Sequence, residues 1–187
     1  MTSAQLSDRL SLSDFLKLPE TKPASEYING KIYQKPMPKG KHSRLQTRFS
    51  AEINKVAEPK RIALAFTELR CTFGGRSIVP DITVFTWSNI PLDDNGEIEN
   101  TFSIAPNWTI EILSPEQSPT RVINNILFCL NHGTKLGWLI DPQEKMIMIF
   151  KPGEQLEMKQ GEDLIPVLEV LSDWKIAVSD VFAYLTL

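Results

Sequence analysis

The sequence predicts an α/β (α+β) domain in which a central mixed β-sheet is flanked by helices. Two amphipathic helical stripes, several short apolar runs typical of strands, and the order helix, strands, helix, strands along the chain favour this fold class. The 187 residues are 42% hydrophobic, and no repeat or Pro/Gly/Ser-rich linker divides them. We therefore predict one domain over residues 1–187, with its core at about 10–152 and the C-terminal strands and helix packed on it.

Two long helices are indicated by the spacing of apolar residues. From about Gly40 to Val56, apolar side chains recur every three or four residues, and Pro59 follows the end of the stripe. A second stripe begins at Pro119 and ends at Gly133. The predicted N-cap of that helix is Ser118; shorter helices are expected at Ser11–Leu18 and at Val178–Tyr184, the latter capped by Ser179.

The strands are predicted from β-prone runs bounded by turn residues. Asn29-Gly30 accepts positive φ and should connect two strands in a hairpin. A second hairpin is expected around Pro142. The predicted strand regions are Glu26–Gln34, Ile62–Phe73, Ile78–Phe85, Trp108–Leu113, Lys135–Asp141 and Met146–Phe150, with short strands at Leu156–Met158 and Leu164–Ile165.

Composition argues against the secreted and membrane classes. Cys71 and Cys129 are too few and too far apart to indicate a disulfide framework or a zinc site. The N-terminus lacks a signal-peptide pattern, and no run approaches the roughly 18 apolar residues of a membrane span. We expect a cytoplasmic protein without a membrane partner.

Charge is distributed unevenly along the chain. The formal net charge is −3, yet the segment from Lys31 to Arg61 carries nine basic residues against two acids, a charge of +7, and the rest carries −10. A phosphate backbone would select a patch of this sign. A solvated helix face is the alternative explanation, and the pattern alone leaves both open.

Two acids fall in strongly apolar surroundings. Asp81 begins the β-prone run after Pro80, and Glu111 lies in the middle of Trp108–Leu113. Burying such acids is costly unless a cation pairs with them. If the two strands are neighbours, a hard divalent cation such as Mg²⁺ or Mn²⁺ would satisfy both carboxylates. The alternative is that each acid pairs with a basic side chain of a neighbouring strand, with Arg70 as the leading candidate.

An ordered set of motifs resembles the Uma-type putative restriction endonuclease domains that are abundant in cyanobacteria, a branch of the PD-(D/E)XK nuclease superfamily. The matching segments span about residues 10–152, and the last is the most specific. They are Glu26–Gly30, Gln34–Pro38 followed by His42-Ser43, Ser77–Asp81, Glu111–Pro115 and Gly133–Pro142.

The resemblance implies a restriction-endonuclease-like core and Mg²⁺-dependent hydrolysis of DNA phosphodiester bonds. It implies that Asp81 and Glu111 are metal ligands, and that Glu26 can contribute a third acid. The superfamily lysine normally lies two residues after the second acid, where this chain has Leu113. In Uma-type relatives that lysine comes from the following helix, at the position of Asn125.

The chain therefore departs from the family pattern at a catalytic position. Asn125 can hydrogen-bond a water but carries no charge. Arg121, one helical turn earlier on the same face, could supply that charge, although its high pKa makes it a poor proton-transfer group. We count Asp81, Glu111, Asn125 and Arg121 as candidate catalytic residues.

The candidate DNA contacts come from the basic segment and the following strand region. His42 could contact phosphate, assist near the metal, or be an ordinary exposed helix-start residue. Arg70 could reach DNA or pair with Glu68. The candidate nucleic-acid-binding residues are Lys39, Lys41, His42, Arg44, Arg48 and Arg70.

The leading hypothesis is a metal-dependent DNA endonuclease, for which a homodimer would suit cutting of both strands. The alternative is a catalytically degenerate nuclease-fold protein that binds nucleic acid or a protein partner without cutting, and Asn125 is its main support. A purely structural protein would require both the basic patch and the paired acids to be incidental.

Overall fold

A six-stranded mixed sheet forms the centre of the computed structural model, which describes residues 10–115 and 117–186. The strand order is β10-β9-β8-β7-β6-β3; β7 and β8 are parallel, and the other neighbours are antiparallel. The mixed sheet confirms the predicted fold class. Its strands are β3 (Ala63–Thr67), β6 (Ile82–Thr86), β7 (Trp108–Ile112), β8 (Leu136–Asp141), β9 (Met146–Phe150) and β10 (Glu157–Gln160).

A second, smaller sheet is antiparallel throughout and has the order β2-β1-β5-β4. Its first two strands form the hairpin predicted at Asn29-Gly30, where the φ angles are 52° and 82°. Glycine and asparagine are the residues that adopt this left-handed region most readily. The strands are β1 (Ser25–Ile28), β2 (Lys31–Gln34), β4 (Cys71–Phe73) and β5 (Arg76–Ile78).

The two long helices pack on opposite faces of the large sheet. Helix α2 (Gly40–Ala57) buries Leu45, Phe49 and Ile53 against alternate residues of β6, β7 and β8. Helix α3 (Pro119–Asn131) buries its apolar stripe against the other face of β8, and Phe128 and Cys129 against the small sheet. Helix α3 therefore lies between the two sheets. The short helices are α1 (Leu12–Phe15) and α4 (Val178–Ala183).

Gly137 permits the close approach of α3 to the sheet. A Cβ atom at this position would lie 2.4 Å from Cγ2 of Ile126 on the helix. Real side chains do not approach so closely, because interiors are already packed to high density. The glycine thus helps to set how deeply α3 lies, and with it the position of Asn125.

Two predicted strand regions differ from the structure. The run Ile78–Phe85 is two strands in different sheets, joined by residues 79–81, because Pro80 has no backbone N–H to continue a ladder. Leu164 forms an isolated bridge with Ala177 and does not pair with the predicted 156–158 strand. Residues 157 and 158 of that strand belong to β10, which pairs with β9.

Of the two predicted N-caps, the one of α3 is confirmed in position and the one of α4 differs. Ala177, not Ser179, is the N-cap of α4, and its N–H donates to the Asp180 carboxylate at 2.8 Å. Ser118 does occupy the N-cap position of α3, but its hydroxyl is hydrogen-bonded to Thr120 rather than to the helix backbone.

Within residues 10–115 and 117–186, no helix has the length and apolar character needed to cross a membrane.

Gly137→Ala should lower the free energy of unfolding by about 1–3 kcal/mol, because the new methyl group overpacks the interface with Ile126. Urea denaturation measures the change. Gly40→Ala is the matched control: no atom lies within 4 Å of a Cβ there, so that variant should be neutral or slightly stabilised. Equal stability of both variants would contradict the close packing of α3.

Candidate active site

The candidate site lies where the chain passes from the small sheet to the large one. Residues 79–81 make this passage, and Asp81 immediately precedes β6. Strands β6 and β7 are antiparallel with Ile82 opposite Ile110. Extending that register by one residue places Asp81 opposite Glu111, so the two acids lie side by side, as we expected from the sequence.

Asp81 is held from three directions. Its Oδ2 accepts the backbone N–H of Ile112 at 2.7 Å, while Oδ1 accepts from Lys35 Nζ at 2.6 Å and lies 3.4 Å from His42 Nε2. Burial opposes ionisation of this carboxyl, but the nearby Lys35 and His42 outweigh it and hold the pKa of Asp81 well below its usual value. Asp81 is therefore an ionised carboxylate inside the protein.

Glu111 lies in a less favourable environment. Its Oε2 is 3.8 Å from Lys35 Nζ, and the side chain is buried. Burial raises the pKa of Glu111 well above its usual value, and the negative charges of Asp81 and Glu26 add to the effect, although Lys35 opposes it. A further cation beside Glu111 would favour its ionised form.

Glu26 brings a third buried acid from the small sheet. Its Oε1 accepts the N–H of Val79 at 2.9 Å, and its Oε2 accepts from Asn125 Nδ2 at 3.2 Å. Burial raises the pKa of Glu26 despite the opposing charge of Lys35. The Oδ1 atom of Asn125 is buried and accepts no hydrogen bond from the described residues. The three acids and Asn125 thus converge from β1, the 79–81 passage, β7 and α3.

Lys35 is the central residue that the sequence did not reveal. It follows β2, and its ammonium donates to the carbonyl of Val79 at 2.7 Å as well as to Asp81. Burial lowers the pKa of Lys35, but the carboxylates of Asp81, Glu111 and Glu26 more than compensate and raise it above its usual value. Arg70, our leading candidate for pairing with the acids, was wrong for this role.

A signal for Lys35 exists in the predicted hairpin. Side chains alternate along a strand, so Lys35 lies on the same face as Tyr33, and Tyr33 pairs with Glu26 across the hairpin. If Glu26 is taken to be buried, Lys35 can be proposed as its compensating charge, because Lys35 follows the cross-strand partner Tyr33 by two residues.

His42 is buried at the start of α2, which excludes the exposed helix-start reading. Its Nδ1 lies 3.3 Å from Ser114 Oγ. His42, Glu68 and Asp81 form a group in which one ligand atom from each lies within 4.8 Å of the others, close enough to hold a metal ion. Glu68 is exposed, and its Oε1 accepts from Gln46 Nε2 at 2.9 Å. Asp81 thus borders two candidate cation positions, one with Glu111 and one with His42 and Glu68.

The six candidate DNA-binding residues fall in different places. Lys39, Lys41 and His42 line a cavity of about 880 Å³ beside the site, together with Ser114 and Lys145. Contact of these residues with DNA stays a prediction.

The three arginines of that set are engaged elsewhere. Arg44 Nε donates to the carbonyl of Tyr184 at 2.9 Å, and Arg48 pairs with Glu52 at 3.3 Å. Arg70 binds both carboxylate oxygens of Glu20, at 2.9 and 2.7 Å, instead of the Glu68 partner that we considered. Their contact with DNA likewise stays a prediction.

A smaller cavity of about 270 Å³ lies beside Glu26. Glu26, Lys35 and Asn125 line it, and Arg121 lies on its wall with its guanidinium carbon 4.4 Å from the centre of the Tyr33 ring. Arg121 is exposed, so its charge lies at the entrance and not among the acids. Of the four candidate catalytic residues, Asn125 and Arg121 therefore line this cavity.

Comparison with known proteins agrees with this architecture. The family profile described as Uma2, putative restriction endonuclease, matches residues 12–179. The chain belongs to the Uma2 family. Among proteins with curated functions, none matches significantly.

A crystal structure of a putative nuclease of DUF820 from Anabaena variabilis resembles this Uma2 chain closely. The sequence identity is 56%, the TM-score is 0.93, and the match covers 94% of this chain and 99% of the other. The family and this structural neighbour support a nuclease and confirm the restriction-endonuclease-like fold.

The donor atoms fit a hard divalent cation. Charge interactions link the carboxylates of Asp81, Glu111 and Glu26, and the buried Asn125 Oδ1 offers a further oxygen without a partner among the described residues. Lys35 already provides a positive charge between Asp81 and Glu111. Oxygen-rich sites of this kind suit Mg²⁺ or Mn²⁺.

Lys35→Met should lower the free energy of unfolding by about 3–5 kcal/mol at neutral pH, because it leaves buried acids without their cation. The pKa values of Glu26 and Glu111 are already raised in the folded protein, and Lys35 opposes that rise. Acids with a higher pKa in the folded than in the unfolded state lose stability as pH rises. The deficit should therefore be larger at about pH 8 than at about pH 5.

Urea denaturation at the two pH values measures this deficit, with the exposed Lys175→Met as control. A deficit that is independent of pH would contradict the charge-compensating role of Lys35.

Proposed function

We propose that this protein is an endonuclease that hydrolyses DNA phosphodiester bonds with Mg²⁺ or Mn²⁺. The observation that carries the proposal is the placement of Asp81 opposite Glu111, both buried, beside cavities lined by basic residues. Two adjacent buried carboxylates hold a divalent cation more readily than they tolerate each other. Family membership supports nuclease chemistry in general, and the metal and the DNA substrate are our proposals.

Asp81 and Glu111 would hold the ion, with Glu26 as a third acid. Hydrogen bonds from the backbone of Ile112 and Val79 orient Asp81 and Glu26, and a metal ion at Asp81 Oδ1 would share that oxygen with Lys35. The bound ion would lower the pKa of a water molecule and stabilise negative charge on the phosphoryl group.

The proposed reaction is the addition of water across one phosphodiester bond. The water oxygen forms a bond to phosphorus, and the bond from phosphorus to one ester oxygen breaks. The water loses a proton and the leaving sugar oxygen gains one, so the products are a phosphate monoester and a hydroxyl group. Atoms and charge balance without any oxidant or reductant.

The surrounding residues would position the substrate. Lys39 and Lys41, at the start of α2, line the 880 Å³ cavity together with His42, whose Nε2 lies 3.4 Å from Asp81. Positive side chains and the N-terminal end of a long helix both favour phosphate at that place. We propose that the DNA backbone follows this cavity, and that Arg44, Arg48 and Arg70 contribute less because they bind protein groups.

Cleavage of supercoiled plasmid tests the function. The native chain should nick DNA in the presence of Mn²⁺, and Asp81→Asn should lower the rate at least about 100-fold, since a charged group beside the reaction is lost. Asp94→Asn, which changes an exposed acid in a loop, should cleave at the native rate. If the native chain binds DNA at low salt without cutting it, the non-cleaving alternative is correct.

The ion's position is tested by two matched glutamate substitutions. Glu111→Gln should weaken Mn²⁺ binding about 10-fold or more, measured by calorimetry, whereas Glu68→Gln should have little effect. Both variants replace a glutamate near Asp81 with its neutral isostere, so the chemical change is the same and only its position and burial differ. The reverse ranking would place the cation with His42 and Glu68 instead.

A further inference from the structure

We propose that Lys35, at the end of β2, is the catalytic cation of this site. It would supply the positive charge that Asn125, on α3, cannot supply. This inference rests on the proposed nuclease function. Four structural features support it: the orientation of Lys35, its contacts, the cavities that it borders and its relation to Asn125.

The hairpin directs Lys35 into the site. The Lys35 N–H donates to the carbonyl of Ala24 at 2.9 Å, which continues the β1–β2 pairing by one residue. Alternation places its side chain on the face that carries Tyr33 and Glu26. Pro36 follows and restricts the backbone at this point. The position of the ammonium is therefore built into the hairpin.

The contacts of Lys35 distinguish it from the other cations. Its Nζ lies 2.6 Å from Asp81 and 3.8 Å from Glu111, and the side chain is only 9% exposed. Arg121 is exposed and stacks on Tyr33, and His42 Nε2 is 3.4 Å from Asp81. Of these three, Lys35 contacts both proposed metal ligands.

Lys35 also borders open space on two sides. It lines the 270 Å³ cavity with Glu26 and Asn125, and it lines a second cavity of about 420 Å³ with His42 and Asp81. A group that enters either cavity therefore meets the Lys35 side chain, so the lysine lies where it can act on a substrate as well as on the buried acids.

Lys35 and Asn125 approach the same acid from opposite elements. Asn125 donates to Glu26 Oε2 at 3.2 Å, and Lys35 exerts a favourable charge interaction with Glu26. A lysine at position 125 would therefore enter the space that Lys35 already borders. One cation in this space suffices, which explains how the chain can carry asparagine on α3.

The chemical role follows from a fixed positive charge. Negative charge accumulates on the phosphoryl oxygens and on the attacking oxygen as the new bond forms. A pre-oriented ammonium in a site of low water content stabilises that charge without reorganising at the moment of reaction. Lys35 would act on the reacting atoms by charge and hydrogen bonding, and the proton released by water would go elsewhere.

Four chains compared on one gel test the proposal: native, Lys35→Met, Lys35→Met/Asn125→Lys and Lys175→Met. With saturating Mn²⁺, Lys35→Met should cleave plasmid at least about 100-fold more slowly, and the double variant should recover most of that loss. Lys175→Met should match the native chain.

Calorimetric Mn²⁺ titration and circular dichroism on the same samples separate chemistry from folding. Lys35→Met should bind Mn²⁺ at least as tightly as the native chain, because a competing cation has gone. Folded, Mn²⁺-bound Lys35→Met that does not cleave supports the proposal. If Lys35→Met does not fold, cleavage by the folded double variant supports it.

The inference about Lys35 would be overturned by near-native cleavage by Lys35→Met, or by a folded double variant that remains inactive. In either case, native activity that is lost in Asp81→Asn would still support the nuclease function. No cleavage by the native chain would overturn both.

Discussion

The ion pair between Lys35 and Asp81 is the interaction on which the site depends. Three acids are buried at one place, and acids in such surroundings cannot all be ionised without a cation. Lys35 lies close enough to Asp81 and Glu111 to compensate both in part. Burial nevertheless raises the pKa values of Glu26 and Glu111, so a further cation beside these acids would favour their ionised forms.

The passage of the chain from β5 to β6 brings the parts of the site together. Pro80 interrupts the ladder, so consecutive residues serve different sheets: the N–H of Val79 binds Glu26, and Asp81 faces Glu111. Helix α3, packed between the sheets, closes the arrangement with Asn125. The positions of the site residues therefore depend on the interrupted ladder at Pro80, on the pairing of β6 with β7 and on the packing of α3. The geometry of the site and the stability of the fold thus rest on the same contacts.

The sequence predicted the features that depend on local pattern. The apolar stripes located α2 and α3, and the isolated acids in apolar runs marked Asp81 and Glu111 as a pair on the condition that their strands were adjacent. It missed Lys35 because the lysine and Asp81 are 46 residues apart and the intervening segment folds into a different layer. In the alternative reading, Arg70 was the leading candidate for pairing with the acids, whereas its guanidinium binds Glu20. Charge pairs between distant segments depend on tertiary packing, which periodicity does not encode.

Anomalous diffraction from crystals soaked in Mn²⁺ tests the central claim most directly. The account predicts one strong peak within coordination distance of Asp81 and Glu111, about 2.0–2.2 Å from oxygen, with His42 and Glu68 outside the coordination shell. A peak bound by His42 and Glu68 without Glu111, or no peak at concentrations that support cleavage, would contradict it.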